Sequence, residues 1–125
     1  MSEPVKVAII GSGPAGLSAA SRAAQLGLSH VLLEKTDHLS DTIYKYQKGK
    51  HVMATPNRLD LRSDCRFDEG ARETILGIWD EDAAANKISV AYHAEVVEVM
   101  GEKGAFQIKT AKGDTIVAEH IVLAI

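Results

Sequence analysis

Residues 5–34 read VKVAIIGSGPAGLSAASRAAQLGLSHVLLE, and this stretch decides the fold. Val5 to Ile10 is an apolar, β-branched run of strand length that stops abruptly at Gly11-Ser12-Gly13-Pro14-Ala15-Gly16. The period then changes. Leu17, Ala20, Ala24 and Leu26 fall near helical spacing, with Ser18, Ser21, Arg22 and Gln25 on the other side. Gly27 is placed to close the helix, predicted over Pro14–Leu26. Val31 to Leu33 then forms a second buried strand that ends in Glu34-Lys35. Strand, glycine turn, helix and strand in immediate succession make a βαβ unit, whose two strands must be parallel.

The rest of the chain extends this unit into one α/β domain. Its 125 residues match the usual size of a single domain, so residues 1–125 are expected to fold as one unit. With 46% hydrophobic and 25% charged residues, the composition is that of a globular protein and excludes a disordered chain. Cys65 is the only cysteine, which rules out an internal disulfide or a cysteine-based zinc site and suits a reducing cytoplasm. No apolar run approaches the roughly 20 residues of a membrane span. The net charge of −3 argues against general nucleic-acid affinity. The expected partner is a small-molecule nucleotide, with neither nucleic acid nor membrane.

From Thr36 to Glu69 periodicity is lost, and a stretch this long without regular structure is usually functional. Gly70 to Asn86 regains helical spacing through Ile75, Trp79 and Ala83, a stripe that belongs to the core. Ile88–Tyr92 reads as a third parallel strand. Glu95–Met100, Ala105–Thr110 and Thr115–Ala118, joined by glycine-bearing turns, read as an antiparallel meander covering part of one sheet face. His120–Ile125 is a last apolar strand, with Ile121–Ile125 joining the parallel sheet. An apolar strand at the end of a chain suggests a piece of something longer. It also suggests an edge shielded by a second copy, so a homo-oligomer is one expectation.

The GSGPAG loop carries the chemistry. A G-x-G-x-x-G match alone is weak, but here a strand precedes it, a helix follows it, and an acidic residue ends the next strand. Gly11 permits the tight exit from the strand, Gly13 lets the backbone approach a pyrophosphate, and Gly16 lets the helix pack close to the sheet. The helix N-terminus offers unpaired N–H groups and partial positive charge to the phosphates, and Pro14 is tolerated in the first turn. Glu34 is placed to accept hydrogen bonds from both ribose hydroxyls and to repel a 2′-phosphate. The loop therefore predicts a dinucleotide site, with NAD and FAD both open at this point.

The extended pattern G-x-G-x-x-G-x3-A-x6-G, followed by an apolar strand ending in Glu34, resembles the FAD fingerprint of two-dinucleotide-binding flavoproteins. The meander and the terminal IVLAI strand are similar to that family's crossover and second FAD motif, although the chain stops short of the glycine that motif would show next. Within the superfamily the likeness is to thioredoxin-reductase-like flavin oxidoreductases. The segment DTIYKYQKGKHVMATPNRLDL resembles the branch containing bacillithiol-disulfide reductase. The resemblance implies a Rossmann-like domain with FAD as cofactor and NADH or NADPH as co-substrate in the full protein. It places Gly11, Ser12, Gly13, Pro14, Ala15 and Gly16 around the pyrophosphate and Glu34 and Lys35 at the adenosine ribose. Backbone near Val96 would meet the adenine, Thr42, Ile43, Tyr46 and Met53 would lie toward the isoalloxazine ring, and Ala124 would sit in the second motif. Two departures matter: the C-x-x-C redox pair is absent, and Ala15 stands where the bacillithiol enzyme carries cysteine.

The remaining polar residues add less. Lys45, Lys48, Lys50, Arg58, Arg62 and Arg66 outnumber Asp60 and Asp64 in a basic strip that either faces phosphates or a redox partner, or is a solvated loop. The histidines, at 30, 38, 51, 93 and 120, show no metal spacing. In flavin enzymes the ring performs the hydride chemistry, so no catalytic side chain is assigned. The resulting expectation is the FAD-binding portion of an oxidoreductase that moves hydride from NAD(P)H to FAD and electrons to an unidentified acceptor. The alternative is a nucleotide-binding sensor without turnover. By itself the chain is expected to be inactive.

Overall fold

The computed structural model describes residues 4–52 and 70–125. It opens with β1 (Val5–Ile10), α1 (Pro14–Gln25) and β2 (His30–Leu33). It continues with α2 (Asp41–Tyr44), β3 (His51–Val52), β4 (Gly70–Ala71), α3 (Arg72–Ala85) and β5 (Val90–Ala91). It ends with β6 (Val96–Met100), β7 (Phe106–Thr110) and β8 (Thr115–Leu123). Six strands form one sheet in the order β5-β2-β1-β8-β7-β6, and β3 pairs with β4 apart from it. β1 runs parallel to both β2 and β8, and β2 runs parallel to β5, as the βαβ reading requires.

Apolar side chains alternate across β1 and β2, and this explains why both strands are continuously hydrophobic. Ile9 and Leu32 point to one face, where they pack with Leu17 and Ala20 of α1, Ile75, Trp79 and Ala83 of α3, and Leu39. Ala8, Ile10 and Leu33 point to the other face and meet Ala94, Ile108 and Ala118. The expected helical stripe of Ile75, Trp79 and Ala83 is therefore core. Both long helices stop the same way. The N–H groups of Gly27 and Leu28 donate back to Ala24 and Ala23, and those of Lys87 and Ile88 donate back to Ala84 and Ala83.

The structure corrects several boundaries. The third meander strand and the terminal strand are one element, β8. It pairs antiparallel with β7 over Thr115–Ala118 and parallel with β1 from Ala118 to Leu123. The meander consequently extends the sheet, while Ile108 and Ala118 supply the packing on its second face. β5 is shorter than Ile88–Tyr92 because only Val90 and Ala91 meet β2. The stretch after Thr36 is not wholly irregular: it contains α2 and the short strand β3.

Candidate functional site

β1 lies between β2 and β8, so its C-terminal end is where the chain turns away on both sides, the usual place for a ligand in an open parallel sheet. A cleft of about 710 Å³ opens there, beyond Ile10, Leu33 and Leu123. Its floor is the glycine loop, Gly11 to Ala15.

The three glycines do different work, and virtual side chains separate them. A Cβ on Gly16 would lie 1.7 Å from the Gly11 carbonyl oxygen, so this glycine allows the helix to close against the loop. Gly11 has φ +106°, and a Cβ there would sit 2.4 Å from the Ala124 oxygen. That close approach locks the loop to the end of the terminal strand, where the Ala124 N–H donates to the Ile10 carbonyl at 2.8 Å. Gly13 meets nothing within 4 Å. Among the described residues its missing side chain serves no contact, and it keeps open the face of the loop that borders the cleft. Gly13 is also the N-cap of α1, with no side-chain cap and no acidic residue in the first turn. Pro14 has no N–H and that of Leu17 donates to the Gly13 carbonyl, which leaves the N–H groups of Ala15 and Gly16 at the positive end of the helix, an arrangement suited to an anion.

Glu34 forms the next wall and is 5% exposed. Ser12 Oγ donates to its Oε1, and the Thr36 N–H and Oγ1 donate to its Oε2 at 2.8 Å each. A carboxylate offers about four acceptor positions, so one remains, on Oε1. That position is where Glu34, as it stands, can accept a further donor. A second bond requires the Thr36 hydroxyl to turn to the His38 carbonyl, which lies 2.8 Å away. Lys35, Val96 and Ala124 border the cleft as expected.

Segment 36–46 closes the remaining side. Ser40, 2% exposed and with a left-handed backbone (φ 55°), donates its N–H to Ser12 Oγ and its own hydroxyl to the Ser12 carbonyl, both at 2.9 Å. This ties the segment to the glycine loop and brings Thr42 and Ile43 into the cleft wall. Behind it, Arg72 at the start of α3 donates to the Tyr44 carbonyl, with Nη2 at 2.6 Å and Nε at 3.1 Å.

Eleven of the expected residues thus line one cleft: Gly11, Ser12, Gly13, Pro14, Ala15, Glu34, Lys35, Thr42, Ile43, Val96 and Ala124. Gly16 lies behind the loop. Tyr46 does not border the cleft and instead lies under the Lys50 ammonium, 4.6 Å from its ring centroid. Met53 lies outside the described residues, as do Arg58, Arg62 and Arg66. In the described part of the basic strip, Lys45 pairs with Asp41 at 2.9 Å, and Lys45, Lys48 and Lys50 do not border the cleft. Ser40, Asp41, Glu95 and Val99 border it without having been singled out in the sequence. Ser40 carried no signal there, because its role comes from contact with Ser12, far away in the chain. Among the described residues, no group of three His, Cys, Asp or Glu side chains is placed to hold a metal, and no helix is long and apolar enough to cross a membrane.

Comparison with known proteins agrees with this fold. A ferredoxin–NADP reductase from Gluconobacter oxydans is 28% identical over 118 residues, covering 94% of this chain and 32% of the reductase. Solved bacillithiol disulfide reductases from Staphylococcus aureus and Bacillus cereus are each 25% identical, with TM-scores of 0.82 and 0.80. They cover 98% and 97% of this chain, which spans only 38% and 39% of their own. The resemblance to that branch is borne out. The family described as pyridine nucleotide-disulphide oxidoreductase matches residues 8–125, and with its six-stranded Rossmann-like sheet the chain belongs to this family of flavin-dependent enzymes.

Proposed function

We propose that this chain binds FAD in the cleft over the glycine loop, as the FAD-binding portion of a reductase that takes hydride from NADH or NADPH. The observation that carries the reading is Gly13. Among the described residues nothing would meet a side chain at Gly13, while the helix N-terminus beside it has no side-chain cap and no acidic residue in its first turn. A pyrophosphate fits both features, and Glu34 beside them suits the ribose of the same nucleotide. When bound, FAD supplies hydride and electron transfer at its ring. The chain's own residues bind and orient it: first-turn N–H groups and the α1 dipole hold the phosphates, Glu34 holds the ribose, and Thr42 and Ile43 wall the ring side. The carboxylate of Glu34 disfavours a 2′-phosphate, which supports FAD over NADP at this particular site.

The relatives' names, a ferredoxin–NADP reductase and bacillithiol disulfide reductases, support a reductase rather than a sensor. With Cys65 as the single thiol, electrons leave the flavin for an acceptor reached through other parts of the protein or another molecule. The lone thiol suits a reducing cytoplasm. The test is anaerobic titration of the full protein with NADH and NADPH while following flavin absorbance. Bleaching by either donor supports the reading. A colourless protein that binds NAD alone would overturn the cofactor, and flavin that no donor bleaches would favour a sensor.

A further inference from the structure

Besides its bonds to Ser12 and Arg72, the cleft wall formed by α2 is bridged by one ionisable ring. His38 Nδ1 lies 2.7 Å from Asp37 Oδ1, and its Nε2 lies 2.7 Å from Asp41 Oδ1. A neutral imidazole carries one N–H, so it satisfies one of these carboxylates and turns a lone pair toward the other. Both contacts are favourable only when the ring is an imidazolium. The ring also stacks on Tyr44, with centroids 3.6 Å apart and planes at 21°. Tyr44 is held in turn by Arg72, whose guanidinium carbon lies 5.2 Å from the tyrosine centroid. Asp41 is the first residue of α2, and Asp41, Thr42 and Ile43 border the cleft. On the other side, the His38 carbonyl lies 2.8 Å from Thr36 Oγ1, as the alternative acceptor for the hydroxyl that donates to Glu34.

We propose that His38 is a positioning residue for the nucleotide cleft: as an imidazolium bridging Asp37 and Asp41 it holds the α2 wall in place, and losing its proton loosens that wall. This rests on the reading of the cleft as an FAD site. The charges around the ring favour the protonated form. Asp37 and Asp41 come from its own segment and from α2, while Asp80 approaches from α3, in a second cleft that His38 shares with Tyr92. Lys45 offsets Asp41 through the other carboxylate oxygen, Arg72 stands behind Tyr44, and His93 acts on Asp37 from beyond β5.

Burial of the ring opposes its charge, but the hydrogen bonds to Asp37 and Asp41 outweigh it and raise the His38 pKa above the ordinary 6.5. Lys45 and then His38 lower the Asp41 carboxyl below 3.8, and His38 chiefly lowers Asp37. The sign follows. The bridge is complete below the ordinary histidine value and is lost as pH rises through the raised value of the folded protein. On the acid side it fails as pH falls below the ordinary carboxylate value of 3.8 and through the lowered ones.

The test is FAD affinity, by flavin fluorescence, from about pH 5.5 to about 8.5, beside NMR titration of the His38 ring. In the native protein affinity should fall by about three- to tenfold on the alkaline side, with the midpoint that NMR gives for His38. Asp37→Asn should shift both midpoints down together, and His38→Gln should give weaker binding with no slope in this range. An affinity that stays flat through the His38 midpoint, or a slope that survives in His38→Gln, would overturn the proposal. Amide exchange of Tyr44 to Tyr46, whose N–H groups donate to the carbonyls of Ser40, Asp41 and Ile43, decides the matter independently of the cofactor when measured without nucleotide and corrected for intrinsic rates. Protection lost above the His38 midpoint in the native protein but not in His38→Gln supports the proposal, and protection indifferent to pH overturns it. Failure to bind FAD at any pH would refute the flavin assignment alone.

Discussion

Gly13→Ala separates ligand binding from folding, because the structure gives its two effects very different sizes. The backbone at Gly13 has φ −75° and ψ −169°, extended values that alanine adopts without strain. The new methyl meets nothing within 4 Å. The folding cost is then the exchange of one weak N-cap for a poorer one, about 0.5 kcal/mol, or about 2–4 °C in Tm for a domain of this size. In the proposed FAD complex the same methyl would stand where the phosphates are expected to approach the first-turn N–H groups. Losing one such charge-assisted hydrogen bond costs about 1.5–3 kcal/mol, so FAD affinity should fall about ten- to hundredfold. Thermal unfolding by circular dichroism and FAD titration by fluorescence measure the two quantities on the same samples. The reasoning fails if the variant binds FAD within about twofold of the native protein, or if its Tm drops by far more than a capping change explains.

Gly16→Ala is the complement: with its methyl 1.7 Å from the Gly11 oxygen, α1 must shift, and thermal unfolding should show a loss of at least about 1–3 kcal/mol even without ligand. Glu34→Gln keeps the size of the side chain but turns an amide toward donors on Ser12 or Thr36, so isothermal titration should find FAD bound about ten- to hundredfold more weakly. Trp79→Ala empties the core between α3 and the sheet, and urea unfolding should register a loss of about 3–5 kcal/mol. Lys87, at φ 57° in the turn after α3, is a non-glycine in a left-handed position. Lys87→Gly should raise stability by about 0.5–1 kcal/mol in the same assay.

The βαβ core was legible in the sequence because the hydrophobic period switches cleanly at the glycine loop, and local pattern and packing agree there. The tight turn at Gly11 and the close helix packing at Gly16 were also legible, since both follow from the geometry of a strand turning into a helix. The continuity of β8 was hidden by Glu119 and His120, two exposed residues inside an otherwise apolar run. They fall just past Ala118, where pairing passes from β7 to β1, a tertiary event without a local signature. The α2 wall was illegible for a related reason. Four residues carry no periodicity, and the turn is held from outside by Ser12 and Arg72. The contact of Tyr46 with Lys50 was not legible either, because neither residue lies in a periodic segment.

The most direct measurement is equilibrium titration of the protein with FAD, repeated with NAD as competitor and with Gly13→Ala and Glu34→Gln beside the native chain. We expect one FAD per chain, displaced by NAD only at concentrations at least about tenfold higher, and weakened in both variants. Preferential binding of NAD, or FAD binding that neither substitution alters, would contradict this expectation.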